Sequence, residues 1–241
     1  MANLASISML AEVDGAILVD KPAGLAAHDV ERAVKAHFNL VKTAHGAMLD
    51  PGASGLFVLL LGDGTKLAEL LMGADSAYTG RIRLGRETDT YDVHGNVLSE
   101  KDCSDVTRER LDAALKDFRG DIYQTAPAFS AVRIAGRPNW EVVKTDKGGG
   151  ERLVHVYRFT VTAFELPFVS FELSCTKGVS ARTLAHDMGR SLGCGATLEE
   201  LRRVKCGKFK VEDAMPFMDL VQLDAVAFKS RVMSVFEASG R

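Results

Sequence analysis

Several kinds of feature are scarce in this sequence, and each scarcity excludes something. No apolar stretch is longer than the six residues Leu56 to Leu61, far below the roughly 20 that a membrane-spanning helix needs. The opening residues, MANLASISMLAEVDG, have no basic segment ahead of an apolar one and do not read as a secretion signal. Only four cysteines occur, Cys103, Cys175, Cys194 and Cys206, and none forms a C-x-x-C pair. Without a secretion signal they read as free thiols. Their spacings match no zinc pattern, and the six histidines include no H-x-x-x-H pair, so no metal is expected. Charge of one sign is lacking too. Thirty basic against thirty-two acidic residues give a net −2, which predicts no general affinity for polyanions.

What is present is a globular composition. Hydrophobic residues at 46% and charged residues at 26% exclude wholesale disorder. The 241 residues suit one large domain or two small ones, soluble and cytoplasmic. Two basic clusters stand out against the neutral balance: Arg81, Arg83 and Arg86, and then Arg202, Arg203, Lys205, Lys208 and Lys210. Each is either a solvated face or a polyanion site.

Hydrophobic periodicity alternates between the two spacings that mark secondary structure. Residues 15–20 read as a strand ending at Lys21-Pro22-Ala23-Gly24, and Val30 to Leu40 as a helix. Residues 56–61 suit a buried strand, followed by a helix from Thr65 to Met72. Tyr78 to Leu84 alternates as a half-buried strand, and Thr107 can cap a helix bearing Leu111, Leu115 and Phe118. Val154 to Glu165 and Val169 to Cys175 are strand-like, and Ser180 opens a helix with Leu184, Met188 and Leu192 on one face. Thr197-Leu198-Glu199-Glu200 fits the capping box of a further helix. Residues 219–241 read as a packed helix or a frayed end, and Gly148-Gly149-Gly150 as a mobile loop. The fold class is α+β.

Two segments invite a chemical reading and lose it. Gly62-Asp63-Gly64-Thr65-Lys66 lacks the spacing of a phosphate loop and reads as a turn. Asp89 and Asp92, bounded by Gly95, read as turn-organising acids rather than a cation site. The segment His45 to Leu56 differs. It sets one carboxylate, Asp50, among glycines, a proline and small side chains, where a ligand can approach the backbone closely. Asp50 there either turns the chain before Pro51 or carries chemistry.

Seven collinear segments resemble the TruB family of pseudouridine synthases. Asp20-Lys21-Pro22-x-Gly24 is similar to the family opening D-K-P-x-G, AHGAMLDP (Ala44 to Pro51) to G-H-T-G-T-L-D-P, and GDGTKL (Gly62 to Leu67) to G-E-A-T-K-L. Tyr78 with Arg83-Leu84-Gly85 resembles Y-x-x-x-x-R-L-G, and TDTYDVHG (Thr88 to Gly95) resembles T-D-T-x-D-x-x-G. FRGDIYQTAPAFSAVRIAG (Phe118 to Gly136) is similar to F-x-G-x-x-x-Q-x-P-P-x-Y-S-A-x-K-x-x-G, and CTKGVSARTL (Cys175 to Leu184) to C-S-K-G-T-Y-I-R-T-L, with Leu201-Arg202-Arg203 beyond.

The resemblance implies a pseudouridine synthase fold, a central mixed, mainly antiparallel sheet flanked by helices and loops. It implies an isomerase for the uridine at position 55 in the T-loop of tRNA, working without a cofactor. Asp50 would be the catalytic nucleophile, Tyr78 would lie beside the flipped base and Arg182 would pair with the aspartate. His45, Ser180, Leu201, Arg202 and Arg203 would bind the nucleotide or its RNA. A single catalytic domain over 1–241, without the PUA-type RNA-binding domain of many relatives, is expected, as are a monomer and no obligatory protein partner.

The departures from the pattern have their own implications. Ala26-Ala27 replaces Thr-Ser, Gly46-Ala47-Met48 replaces Thr-Gly-Thr, Ala126 replaces the first of two prolines, and Arg133 follows Ser-Ala where a lysine is expected. Ser180 stands where the family has a tyrosine, which removes an aromatic wall from the pocket. Two rival readings stay open: an enzyme that acts on another structured RNA or needs partners, and, on account of Ser180, a catalytically weak protein that remodels tRNA by opening its T-loop.

Overall fold

The computed structural model describes residues 13–125 and 151–240, with the backbone alone of 133–134 and 137–138. The glycine run 148–150, Ala126 and much of the 118–136 motif therefore lie outside the described residues.

The elements run β1 (Gly15–Lys21), α1 (Ala27–His37), β2 (Thr43–His45), β3 (Ser54–Leu61), then a 3-10 turn (Gly62–Leu67) into α2 (Ala68–Met72). Next come β4 (Ser76–Leu84), β5 (Arg86–Thr88), β6 (Val97–Glu100), α3 (Arg108–Ala114) and β7 (Gly120–Gln124). The short pair β8 (Arg133–Ile134) and β9 (Arg137–Pro138) precedes β10 (Arg152–Glu165), β11 (Phe168–Cys175), α4 (Ala181–Leu192) and β12 (Ala196–Cys206). The chain ends with β13 (Phe209–Lys210), β14 (Met215–Pro216), α5 (Phe217–Leu220), α6 (Ala225–Arg231) and α7 (Val235–Ser239). Its contacts divide it into two compact units, residues 1–74 with 203–241, and residues 75–202.

In the first unit β1 pairs antiparallel with β3, from Gly15 opposite Leu61 to Lys21 opposite Gly55, and β14 joins β1 in parallel. Strand β2 pairs with β3, placing His45 opposite Leu59. Strand alternation then sorts the side chains. Ile17, Val19, Phe57, Leu59 and Leu61 pack with Val30 and Val34 of α1 and with Phe217, Leu220 and Phe228. Leu18, Leu56, Val58 and Leu60 pack on the other face with Leu71, Phe209 and Ala238. Strand β3 is thus covered on both faces, which is why its sequence is an unbroken apolar run. Helix α1 starts three residues before the expected Val30 and stops at His37, because Asn39 turns to a φ of 50°. Asparagine tolerates that left-handed conformation better than most side chains.

In the second unit the sheet order is β4-β11-β10-β7, antiparallel throughout, with Tyr78 of β4 opposite Leu173 of β11. Leu184, Met188 and Leu192 of α4 share a core with Leu111 of α3, Leu115, Ile82, Leu84 and Phe171. Gly80 is required in β4: a Cβ there would lie 2.4 Å from Phe171 Cζ. Thr107 caps α3 as expected, its side chain accepting from Arg110 N–H. Asp89 and Asp92 organise their turn, accepting from Asn96 and His94 N–H. Two arginines of the first basic cluster face acids, Arg81 with Glu200 and Arg86 with Glu100.

Two expectations fail. Thr197 to Glu200 opens no helix but lies in β12, on which the chain passes from the second unit to the first. Tertiary pairing overrides the local capping signal: Thr197 Oγ1 donates to Arg86 O at 2.9 Å and Leu198 N–H to Tyr91 O at 2.9 Å. Residues 219–241 form short separate helices, α6 capped by Asp224 and α7 by a Ser234–Glu237 capping box. Between them Met233 pairs with Ala16 on the edge of β1.

Candidate active site

The turn that carries Asp50 is fixed from beneath by two buried cations. Between β2 and β3 the chain closes through Ala53 N–H on Asp50 O and Gly24 N–H on Pro51 O. Asp50 is half-buried, and Leu49 beside it is buried. Arg203, 1% exposed, reaches in from β12. Its guanidinium donates to Leu56 O at 2.8 Å, Met48 O at 2.8 Å and Ala47 O at 3.3 Å. Lys21, 0% exposed, ends β1 under the same turn. Its ammonium donates to Pro22 O, Leu25 O and Pro51 O at 2.9, 2.6 and 3.2 Å. Carbonyl groups on both sides of Asp50 are thus satisfied by charged donors, which make the stronger hydrogen bonds.

Burial and the nearby Arg203 charge bring Lys21 down from 10.5 to about 8, while Asp50 opposes the fall. Removing water from an ammonium disfavours its charged form, and a like charge does the same. The Asp50 carboxylate and the Lys21 ammonium attract one another across the turn.

Arg203 is therefore not the surface cation that its cluster suggests. Its charge is used inside, on the carbonyls of the Asp50 turn. Lys205, Lys208 and Lys210 remain exposed, with Lys205 directly opposite Lys210 on the β12–β13 hairpin. His45 stands at the end of β2, its Nδ1 3.1 Å from Glu31 Oε2 and its Nε2 3.0 Å from Met48 Sδ.

The remaining candidates lie in the second unit. Tyr78 and Leu201, both half-buried, pack against the same core. Arg182 is in the first turn of α4, 8% exposed, with Nη1 3.5 Å from Asp92 Oδ2 and 3.4 Å from Thr90 O. Thr90 Oγ1 and His94 N–H hold the other Asp92 oxygen, so the 88–95 turn orients the arginine. Ser180 caps α4, its Oγ accepting from Thr183 N–H at 3.2 Å. Gln124 brackets it, accepting from Ser180 N–H and donating to Ser180 O. The residue that replaces a family tyrosine thus starts the helix that carries Arg182. Arg202 is half-buried.

Sequence reasoning missed Lys21 and Glu31. A lysine at the inner end of the apolar strand GAILVDK was one available signal, since a strand-end lysine next to proline has little room to reach solvent. Glu31 carried no such sign, because its partners come from a different element.

Comparison with known proteins gives a consistent picture. Residues 35–180 match the model of the TruB family pseudouridylate synthase N-terminal domain, and residues 182–233 that of the tRNA pseudouridylate synthase B C-terminal domain. The chain is similar to tRNA pseudouridine synthase B of Opitutus terrae, 40% identical over 95% of both chains. It is 36% identical to that of Haemophilus influenzae over 90% of this chain and 70% of the relative. Among solved structures, a chain of a Cbf5-Nop10-Gar1 complex superposes with a TM-score of 0.75 at 28% identity. That match covers 96% of this chain and 63% of the other. A chain of an H/ACA RNP bound to a substrate RNA containing 2′-deoxyuridine matches at 0.72 and 26%, over 96% of this chain and 62% of the other.

Proposed function

Since the chain belongs to the TruB family of pseudouridine synthases, we propose that it isomerises uridine to pseudouridine in tRNA, at position 55 of the T-loop, with Asp50 as the nucleophile. The observation that carries this reading is the turn itself. The Asp50 carboxylate is held on a loop whose flanking carbonyls are locked by two buried cations. Such preorganisation is what electrostatic catalysis requires, since the site does not reorganise as charge moves.

The reaction breaks the bond between N1 and C1′ and makes one between C5 and C1′. The C5 hydrogen leaves as a proton and N1 gains one. Nothing is oxidised or hydrolysed, so no cofactor is needed. Asp50 adds to the ribose or the base, or stabilises the glycosyl species, while uracil turns. Reaching C1′ means extruding the nucleotide, at a cost of a few kcal/mol in lost stacking. Tyr78 supplies a ring for the displaced base, and Arg182 orients the carboxylate and balances its charge. His45, Leu201 and Arg202 line the nucleotide site. In this proposal the chain acts as a cytoplasmic monomer without an obligatory protein partner. Among the described residues no helix is long and apolar enough to cross a membrane.

The test is tritium release from a tRNA transcript labelled at C5 of uridine, with Asp50→Asn alongside. Release confined to the T-loop and abolished by the substitution supports the reading. A tRNA that binds in a salt-dependent way but releases nothing refutes it.

A further inference from the structure

Both nitrogens of the His45 ring have defined surroundings. On one side, the Glu31 carboxylate of α1 meets two residues of β2: Thr43 Oγ1 donates to Oε1 at 2.8 Å, and His45 Nδ1 lies 3.1 Å from Oε2. Thr43 and His45 are two apart on the strand and so share a face. The Glu31 side chain is 19% exposed and that of His45 29%. On the other side, Nε2 points at Met48 Sδ, two residues before Asp50. Phe57 of β3 flanks the ring at 6.3 Å between centroids, inclined by 28°.

A carboxylate only accepts, so the ring nitrogen on Glu31 is the one that carries the proton. That leaves Nε2 as the variable nitrogen, and Nε2 is the one on the Asp50 turn. A thioether is a weak partner, readily displaced by a stronger polar atom. Among the described residues the charged group facing the ring is Glu31; Thr43, Met48 and Phe57 bring no charge.

We propose that Glu31 is a positioning residue for the isomerisation: through Nδ1 it fixes the tautomer and orientation of His45 and presents Nε2 to a polar atom of the flipped nucleotide. This rests on the reading that His45 lines the nucleotide site. Glu31 itself touches no substrate and acts through the imidazole.

Two readouts test it. In nitrogen-edited NMR of the histidine rings, with His45 assigned by its loss in His45→Gln, the wild type shows the proton on Nδ1 and Glu31→Leu loses that signal. On a tRNA transcript, kcat/KM of Glu31→Leu falls roughly tenfold to a hundredfold, the range of a lost hydrogen bond to a charged group. Glu31→Gln, whose amide oxygen still accepts from Nδ1, retains most of the activity and guards against a folding defect. Adding His45→Gln to Glu31→Leu costs no more than His45→Gln alone, because the two residues act as one unit. Wild-type kcat/KM in Glu31→Leu, additive losses, or a proton found on Nε2 with Nδ1 bare would each overturn the proposal. A wild-type protein that releases no tritium refutes the pseudouridine synthase reading instead, and the ring spectrum then decides the Glu31–His45 pairing alone.

Discussion

Lys21 and Arg203 hold the backbone on opposite sides of Asp50, the ammonium on Pro51 O at 3.2 Å and the guanidinium on Met48 O at 2.8 Å. The two residues are far apart in sequence, one closing the first strand and the other lying on β12. Together they convert a loop rich in small residues into a fixed platform for one carboxylate.

Arg203→Met leaves three carbonyl oxygens without their donor, at a cost of about 3 kcal/mol. For a chain of this size that lowers the melting temperature by roughly 6–12 °C. Arg203→Lys recovers only part, since an ammonium is a point donor and lacks the planar fork that spans three acceptors. Calorimetry decides it, and a melting temperature unchanged in Arg203→Met would remove the structural role.

Lys21 gives the pH dependence a sign. Its value in the folded protein, about 8, lies below the ordinary 10.5. Between those values the unfolded chain holds more protons, so the contribution of this group to stability rises as pH increases through the window. Lys21→Met removes the rise. Turnover runs the other way, falling above about pH 8 as the ammonium beneath Asp50 loses its charge. Arg203→Met removes a like charge and shifts that fall to higher pH. Single-turnover rates measured across the window in both proteins check the direction.

Gly80→Ala places a methyl group against the Phe171 ring and against Glu200 O at 2.6 Å. Overpacking of this kind costs about 1–3 kcal/mol. Chemical denaturation should show a lower midpoint with an unchanged slope. A neutral result would mean that β4 shifts without penalty.

Lys205 and Lys210 face each other across the hairpin, and among the described residues neither has an acidic partner at ion-pair distance. Like charges directly opposite oppose pairing in the absence of a counter-ion. If both meet RNA backbone, replacing both with alanine lowers the slope of log affinity against log salt by about 1.4. Filter binding of a tRNA transcript over a salt series measures it, and an unaltered slope places the hairpin away from the RNA.

Much of this was legible in the chain. The periods of β1, β3, β4, β10 and β11 reflect burial on one face or two, a property each strand carries in its own side chains. The Thr107 and Ser180 caps were readable for the same reason, since a cap concerns residues three apart. Thr197 was misread because its capping box is also local, while the pairing of Leu198 with Tyr91 that overrides it is not. Arg203 looked like one more surface cation, because sequence shows charge but not the direction in which a strand turns a side chain. Family resemblance supplied Asp50, Tyr78 and Arg182 as candidates; it also contained Lys21, whose place under the Asp50 turn came from distances, as did Glu31.

The division of the chain also sets an order of assembly. Residues 75–202 are contiguous and complete before residue 203 is translated, whereas the first unit is built from segments on either side of them. Domains fold as units during synthesis, amino-terminal parts first, but here the amino-terminal part must wait. A nascent chain halted before residue 203 has every one of the residues 47–56 and no guanidinium to hold their carbonyls. The Asp50 turn is then among the last features to settle, so an incomplete polypeptide on the ribosome carries the carboxylate without its platform.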